Sequence, residues 1–198
     1  MSTIIAVKQD GKIYMGCDTQ ASGKARMSQN RKDKKMFIKK NGNGINFGIG
    51  ACGSFRFMNI LQYGFSIPSF HSSEYSSDDP KMEYMVNTFV EKLKLFFKER
   101  GVHVDARDKQ LDQGGYLLVA FSGRLFHIMD DYQVAEYHDD FLAIGSGGDI
   151  AKASLITSEE FKNTNNEVGV EKRISLALEC ASKIDLFTSP PFIYQTVT

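Results

Sequence analysis

At the start of this chain, hydrophobic and polar positions fall in short extended blocks rather than in a helical rhythm. Thr3-Ile4-Ile5-Ala6-Val7 is rich in β-branched residues, Asp10-Gly11 is a two-residue hairpin signal, and Ile13 to Cys17 forms the answering strand. Most domains leave their first residues loose, so a strand beginning this early implies that the terminus has a task. A basic polar loop, 23–34, leads to a second hairpin, Lys35 to Lys39 and Ile45 to Ile49, turned at Asn41-Gly42-Asn43-Gly44.

The pattern then changes period. "GSFRFMNILQYG" predicts a helix with Phe55, Met58 and either Ile60 or Leu61 facing inward. The Ser-rich stretch 66–80 reads as a loop. Asp79 caps the next helix, Pro80 suits its first turn, and Val86, Phe89, Val90, Leu93, Phe96 and Phe97 repeat at i, i+3, i+4 until Gly101. Strands return in "YLLVAF", "RLFHIM", "YQVAEY" and "FLAIGS". Helices over 149–155 and 170–184 follow, and "FIYQTV" is a closing strand. Helices arriving in pairs after blocks of strands predict two stacked sheets with helices outside, in one domain spanning 1–198 without repeats or linkers.

Composition narrows the function. The 24 basic and 24 acidic residues cancel, which leaves no global field toward nucleic acid or an anionic membrane. No apolar run reaches a membrane span, and the first twenty residues carry no signal-peptide core. Three widely spaced cysteines (Cys17, Cys52, Cys180) fit free thiols in a reducing cytoplasm. The scattered His71, His103, His127 and His138 read as surface or packing residues, so neither metal nor cofactor is expected.

Hairpin register supplies the first chemical clue. A two-residue turn at Asp10-Gly11 sets Thr3 opposite Asp18 and Ser2 opposite Thr19. A four-residue loop at 41–44 sets Lys35 opposite Gly50, beside the Gly-rich "GIGACGS". A terminal hydroxyl thus has a carboxylate near it, and a lysine has open backbone amides near it. Singly, each residue has a plainer reading. Ser2 is a common residue after Met, Asp18 suits a strand end, and Lys34 and Lys35 continue a charged stretch with Lys24, Arg26, Arg31 and Lys32. Gly145-Ser146-Gly147-Gly148 suits a helix entry, and Asp185 and Thr188 suit a helix exit.

Their joint order overturns those readings. "STIIAV", "DG", "GCDTQ", "KKMFI", "GACGS", "AIGSGGDIAKA" and "ASKIDLFTS", in this order along nearly the whole chain, resemble the proteasome β-type subunits and their bacterial heat-shock-locus (HslV-type) relatives. These are N-terminal nucleophile hydrolases. The resemblance implies an α+β fold, a four-layer αββα sandwich of two antiparallel sheets flanked by helices. It puts Ser2 in the place of the nucleophile that is usually Thr, with Asp18 orienting a lysine that falls on Lys35, or on Lys34 if the loop has no insertion. It matches Ser146, Asp185 and Thr188 to supporting polar residues, and assigns the oxyanion amides to the region of Cys52 and Gly53.

The chemistry so implied is self-contained. A serine hydroxyl needs a base, and a free α-amine, with a reference pKa of about 7.7 to 8, can serve its own residue. A nearby ammonium lowers that pKa and favours ionised oxygen. Hydrolysis then runs through an acyl-enzyme on Ser2, on a peptide or unfolded protein, inside a homo-oligomeric ring, with an ATPase unfoldase as partner by analogy. All of this requires removal of Met1. Retention of Met1 leaves a ring-forming relative without catalysis, and an amidase acting on a small molecule is a further alternative.

Overall fold

The N-terminal hairpin pairs as its alternation requires. In the computed structural model, which describes residues 2–22, 28–102, 104–105, 111–112, 114–161 and 168–198, β1 (Thr3–Gln9) and β2 (Lys12–Asp18) run antiparallel with Gln9 opposite Lys12 and Ile4 opposite Cys17. Asp10 and Gly11 both take positive φ, the twist that a two-residue hairpin demands. A short ribbon follows, β3 (Gln20–Ser22) with β4 (Ser28–Asn30), a pairing not anticipated within the polar loop.

The second hairpin, β5 (Met36–Lys40) and β6 (Asn46–Gly53), is one residue out of the expected register. Its loop has five residues rather than four. The Asn41 amide donates to the Ile45 carbonyl (3.0 Å), and the Ile45 amide donates to Asn41 Oδ1 (2.8 Å). The Asn41 side chain thereby absorbs the extra residue. Lys40 faces Asn46, and the Lys35 carbonyl accepts from Ala51 rather than lying opposite Gly50.

Helix α1 (Phe55–Gly64) is capped by the Ser54 hydroxyl, which accepts from the Phe57 amide, and it buries Phe57, Met58 and Leu61. After a loop holding one 3₁₀ turn, α2 (Pro80–Tyr84) and α3 (Val90–Glu99) join through a π-helical turn, Met85–Phe89. There the Val90 amide reaches back five residues to Met85. The extra residue rotates the phase, so Tyr84 and Met85 are buried and Val86, expected inward, is exposed.

The remaining elements are β7 (Val104–Asp105), β8 (Leu111–Asp112), β9 (Gly115–Phe121), β10 (Arg124–Ile128), β11 (Val134–Ala135) and β12 (Phe141–Gly145). Then come α4 (Gly148–Glu159), α5 (Val170–Ile184) and β13 (Phe192–Val197). One sheet has the order β12-β1-β2-β13 and the other β11-β10-β9-β6-β5. They form a four-layer αββα sandwich. Between the sheets lie Ile4, Met15, Leu118, Ala120, Leu125, Leu142 and Ile144. A Phe-rich layer joins the second sheet to α1–α3, and Ile5, Val7, Leu155, Ile174 and Leu178 join the first to α4 and α5. Among the described residues no helix is long and apolar enough to cross a membrane.

Candidate active site

The register of β1 against β2 brings the start of the chain onto the end of β2. Asp18 Oδ1 accepts from the Thr3 amide (2.9 Å) and Oδ2 from the Gln20 amide (3.0 Å). Lys35, immediately before β5 in the opposite sheet, reaches across the sandwich and donates to both oxygens at 2.8 Å. Both side chains are buried, whereas Lys34 is exposed. Lys35 stands in a bend just before β5, ahead of the strand alternation that sends Met36 between the sheets and Phe37 to the helical side. The strand period therefore does not choose between the two lysines; the pairing with Asp18 does. Burial pushes the Asp18 carboxyl above its ordinary value, opposed by the Lys35 charge and by the hydrogen bonds from Lys35, Thr3 and Gln20.

A second polar cluster closes over the same terminus from the helical side. Asp185, the residue that ends α5, accepts from Ser146 Oγ (2.8 Å) and Thr188 Oγ1 (2.6 Å) on one carboxylate oxygen. Thr188 Oγ1 lies 2.5 Å from Thr3 Oγ1, and Ser146 Oγ is 3.5 Å from the Ser2 carbonyl. Gly145 has φ +97°, and a Cβ there would fall 2.0 Å from the Ser2 carbonyl oxygen. Only glycine lets β12 approach the chain start this closely.

Ser2 thus lies between an ion pair and a hydroxyl–carboxylate network. It is wholly buried, and its Oγ has no hydrogen-bond partner among the described residues. The Thr3 hydroxyl, by contrast, is occupied by Thr188. Gly53 ends β6 at φ +144°, where a Cβ would meet the Gly114 carbonyl at 2.4 Å. Cys17 and Cys52 pack between the sheets, and burial pushes their thiols up to about 12 and about 11, so both stay protonated packing groups. No group of three or more His, Cys, Asp or Glu among the described residues is arranged to hold a metal.

Sequence reasoning placed Ser2, Asp18, Lys35, Ser146, Asp185 and Thr188, and the structure gathers all six around one terminus. It missed Thr3, which bonds to both clusters, and Gln20, whose amide holds the carboxylate. The hairpin count set Thr3 opposite Asp18, but which amide a side-chain oxygen accepts is not legible from register. Met1, Lys24, Arg26 and His103 lie outside the described residues. Beside the cluster opens a cleft of about 650 Å³ whose near wall is Cys52, Gly53, Gly145 and Ser146.

No protein-family model matches the chain. It is 29% identical over 198 residues to the ATP-dependent protease subunit HslV of Treponema denticola, covering 99% of this chain and 96% of that one. Its fold is similar to Thiobacillus denitrificans BPH (TM-score 0.73, 18% identity, 98% and 97% of the two chains). It is also similar to HslV from Trypanosoma brucei (TM-score 0.64, 20% identity, 98% of each chain).

Proposed function

We propose that this chain, a homologue of the HslV-type N-terminal nucleophile hydrolases and thereby a proteasome-like peptidase, cleaves peptide bonds through Ser2. The observation that carries the reading is the buried Ser2 Oγ, without a hydrogen-bond partner among the described residues, beside the Asp18–Lys35 pair and next to a Thr3 hydroxyl already engaged. Removal of Met1 exposes the α-amine of Ser2, which takes the hydroxyl proton directly or through a water. Ser2 Oγ attacks the peptide carbonyl, and the resulting oxyanion is met by backbone amides near Cys52 and Gly53. The C–N bond breaks, the amine leaves with the proton held by the α-ammonium, and an ester on Ser2 remains. Water, deprotonated by the same amine, hydrolyses that ester.

In this mechanism Lys35 supplies positive charge to the terminus, and Asp18 aims it. Ser146 and Thr188 are positioning residues at the Ser2 carbonyl and the Thr3 hydroxyl, and Asp185 holds both of them in place. The same reading carries a cytoplasmic location and a homo-oligomeric ring enclosing the sites. Its substrate is a peptide or unfolded protein, fed by an ATPase unfoldase, in line with the Treponema relative's being described as an ATP-dependent protease subunit.

The test uses untagged protein whose intact mass shows Met1 removed. Hydrolysis of a fluorogenic peptide, abolished by Ser2→Ala, is the expected result. A free Ser2 with no hydrolysis, alone or with a partner ATPase, overturns it and favours the inactive ring-forming alternative. Light scattering reads assembly separately, and a clean 22.2 kDa monomer at micromolar concentration contradicts the ring.

A further inference from the structure

The alternation of β9 and β10 decides what stands at the open end of the sandwich. Leu118, Ala120 and Leu125 point between the sheets and are buried there. By the same period of two, Tyr116 and His127 belong to that inter-sheet face, yet they are polar. They line the 650 Å³ cleft together with Asp130, Asp149 and Lys152, and share it with Cys52, Gly53 and Ser146 of the candidate site. A core-facing row that turns polar where it meets a cleft breaks the rule for packing and has the make-up of a binding surface.

The charges in this cleft do not balance. Lys152 lies 3.4 Å from Asp149 at the exposed rim, so those two offset one another. Burial and the nearby Lys152 hold His127 below the ordinary imidazole value, against the pull of Asp130, which leaves it neutral at pH 7. His127 Nδ1 is 3.1 Å from the Tyr137 hydroxyl, while Nε2 is shielded from solvent without a partner among the described residues. Asp130 accepts from the Tyr116 hydroxyl (3.3 Å) and the Asp131 amide (3.1 Å), and no ion pair to it is formed among the described residues. Among the described residues the cleft therefore presents one uncompensated carboxylate, a neutral imidazole and the ring of Tyr116.

We propose that this cleft is a specificity pocket for a basic side chain, lysine or arginine, of a peptide residue flanking the scissile bond, with Asp130 as its counter-ion. The wall shared with Gly53 and Ser146 puts the pocket within a residue or two of any carbonyl lying at Ser2. The aromatic walls suit the alkyl stem of such a side chain, and Tyr116 supplies a face for its cation. A glutamate in the same place meets Asp130 as a like charge. The inference rests on the peptidase reading for the location of the scissile bond, but the binding preference is measurable without turnover.

The experiment measures binding on Ser2→Ala protein by fluorescence anisotropy. Labelled peptides that differ only in Lys, Gln or Glu, scanned over the positions either side of the centre, are compared. At one position the lysine peptide is expected to bind roughly tenfold more tightly than the glutamate peptide, the scale of one additional charge-assisted contact. Asp130→Asn is expected to shrink that ratio to about twofold, with thermal melting used to verify that the variant is folded. Equal binding of all three peptides overturns the proposal, as does a lysine preference that Asp130→Asn leaves intact. On Ser2-bearing protein, hydrolysis that shows no basic preference overturns the pocket while keeping the peptidase. Lysine-selective binding without hydrolysis overturns the peptidase reading and keeps the pocket.

Discussion

The Lys35 ammonium lies 2.8 Å from both carboxylate oxygens of Asp18, one residue contributed by each sheet, with 3% and 0% of their side chains exposed. Two charges taken out of water are held by facing one another, and the Thr3 and Gln20 amides give Asp18 two further donors. Breaking one half leaves the other charge stranded. Lys35→Met or Asp18→Asn alone is expected to cost about 3–5 kcal/mol in denaturant unfolding. The double variant should recover part of that loss, because no lone charge remains, while peptide hydrolysis stays absent. Recovery of activity in the double variant would remove the pair from the mechanism.

Ser2→Ala probes the opposite situation. Its hydroxyl makes no hydrogen bond among the described residues, so stability is expected to stay within about 0.5 kcal/mol while hydrolysis disappears. Thr3→Val is expected to behave differently. It removes the 2.5 Å contact with Thr188 and should cost roughly 1 kcal/mol while leaving measurable turnover. A Thr3→Val protein that is stable but fully inactive would move the nucleophile assignment to Thr3.

Two glycines separate conformational strain from close approach. Gly123, at φ +78°, has open space around a Cβ, so Gly123→Ala should cost about 1 kcal/mol from the left-handed backbone alone. Gly145→Ala adds a Cβ 2.0 Å from the Ser2 carbonyl, and neither backbone can yield without moving the terminus. A larger loss of stability, above about 2 kcal/mol, and loss of hydrolysis are expected at Gly145. Equal unfolding costs at the two positions would show that the terminus is not held as tightly as this contact requires.

Far from the site, Arg124 ties the β9–β10 hairpin to the start of α2 through both oxygens of Asp79 (2.5 and 2.8 Å), and it also pairs with Glu136, which follows β11. Hydrogen bonding from Arg124 lowers the Asp79 carboxyl to about 2, with the Met82 amide at the helix start adding to it. A carboxylate lowered in the folded state stabilises above its unfolded value, about 3.9, and that contribution is lost as pH falls toward 2. Asp79→Asn keeps a competent helix cap and removes only the charge. The wild-type advantage should stay at or below about 1 kcal/mol from pH 7 to 5, since Asp79 is nearly half exposed, and vanish by about pH 2. An advantage that persists at pH 2 would assign it to packing instead.

Much of this architecture was legible locally. β-Branched runs and the Asp10-Gly11 turn specify the first hairpin and its register, because a two-residue loop admits one pairing. The α5 boundaries and the closing strand follow from the switch between periods of 3.6 and two. The residues of the candidate site were legible only as an ordered set of short motifs, since each alone suits a cap, a turn or a charged surface.

Tertiary structure decided what local pattern leaves degenerate. Lys34 and Lys35 are equivalent by composition, and only the packing of the two sheets, which brings Asp18 within reach of Lys35, buries one lysine and leaves the other exposed. The π turn that buries Met85 and exposes Val86 inserts one residue into an otherwise regular helix, a phase change that periodicity averages away. Tyr116 and His127 continue a core-facing alternation in sequence, but the sheets part at that end, so the same directions lead into a cleft instead of a core. The period of a strand determines which way a side chain points, and the packing of the second sheet determines what it meets there.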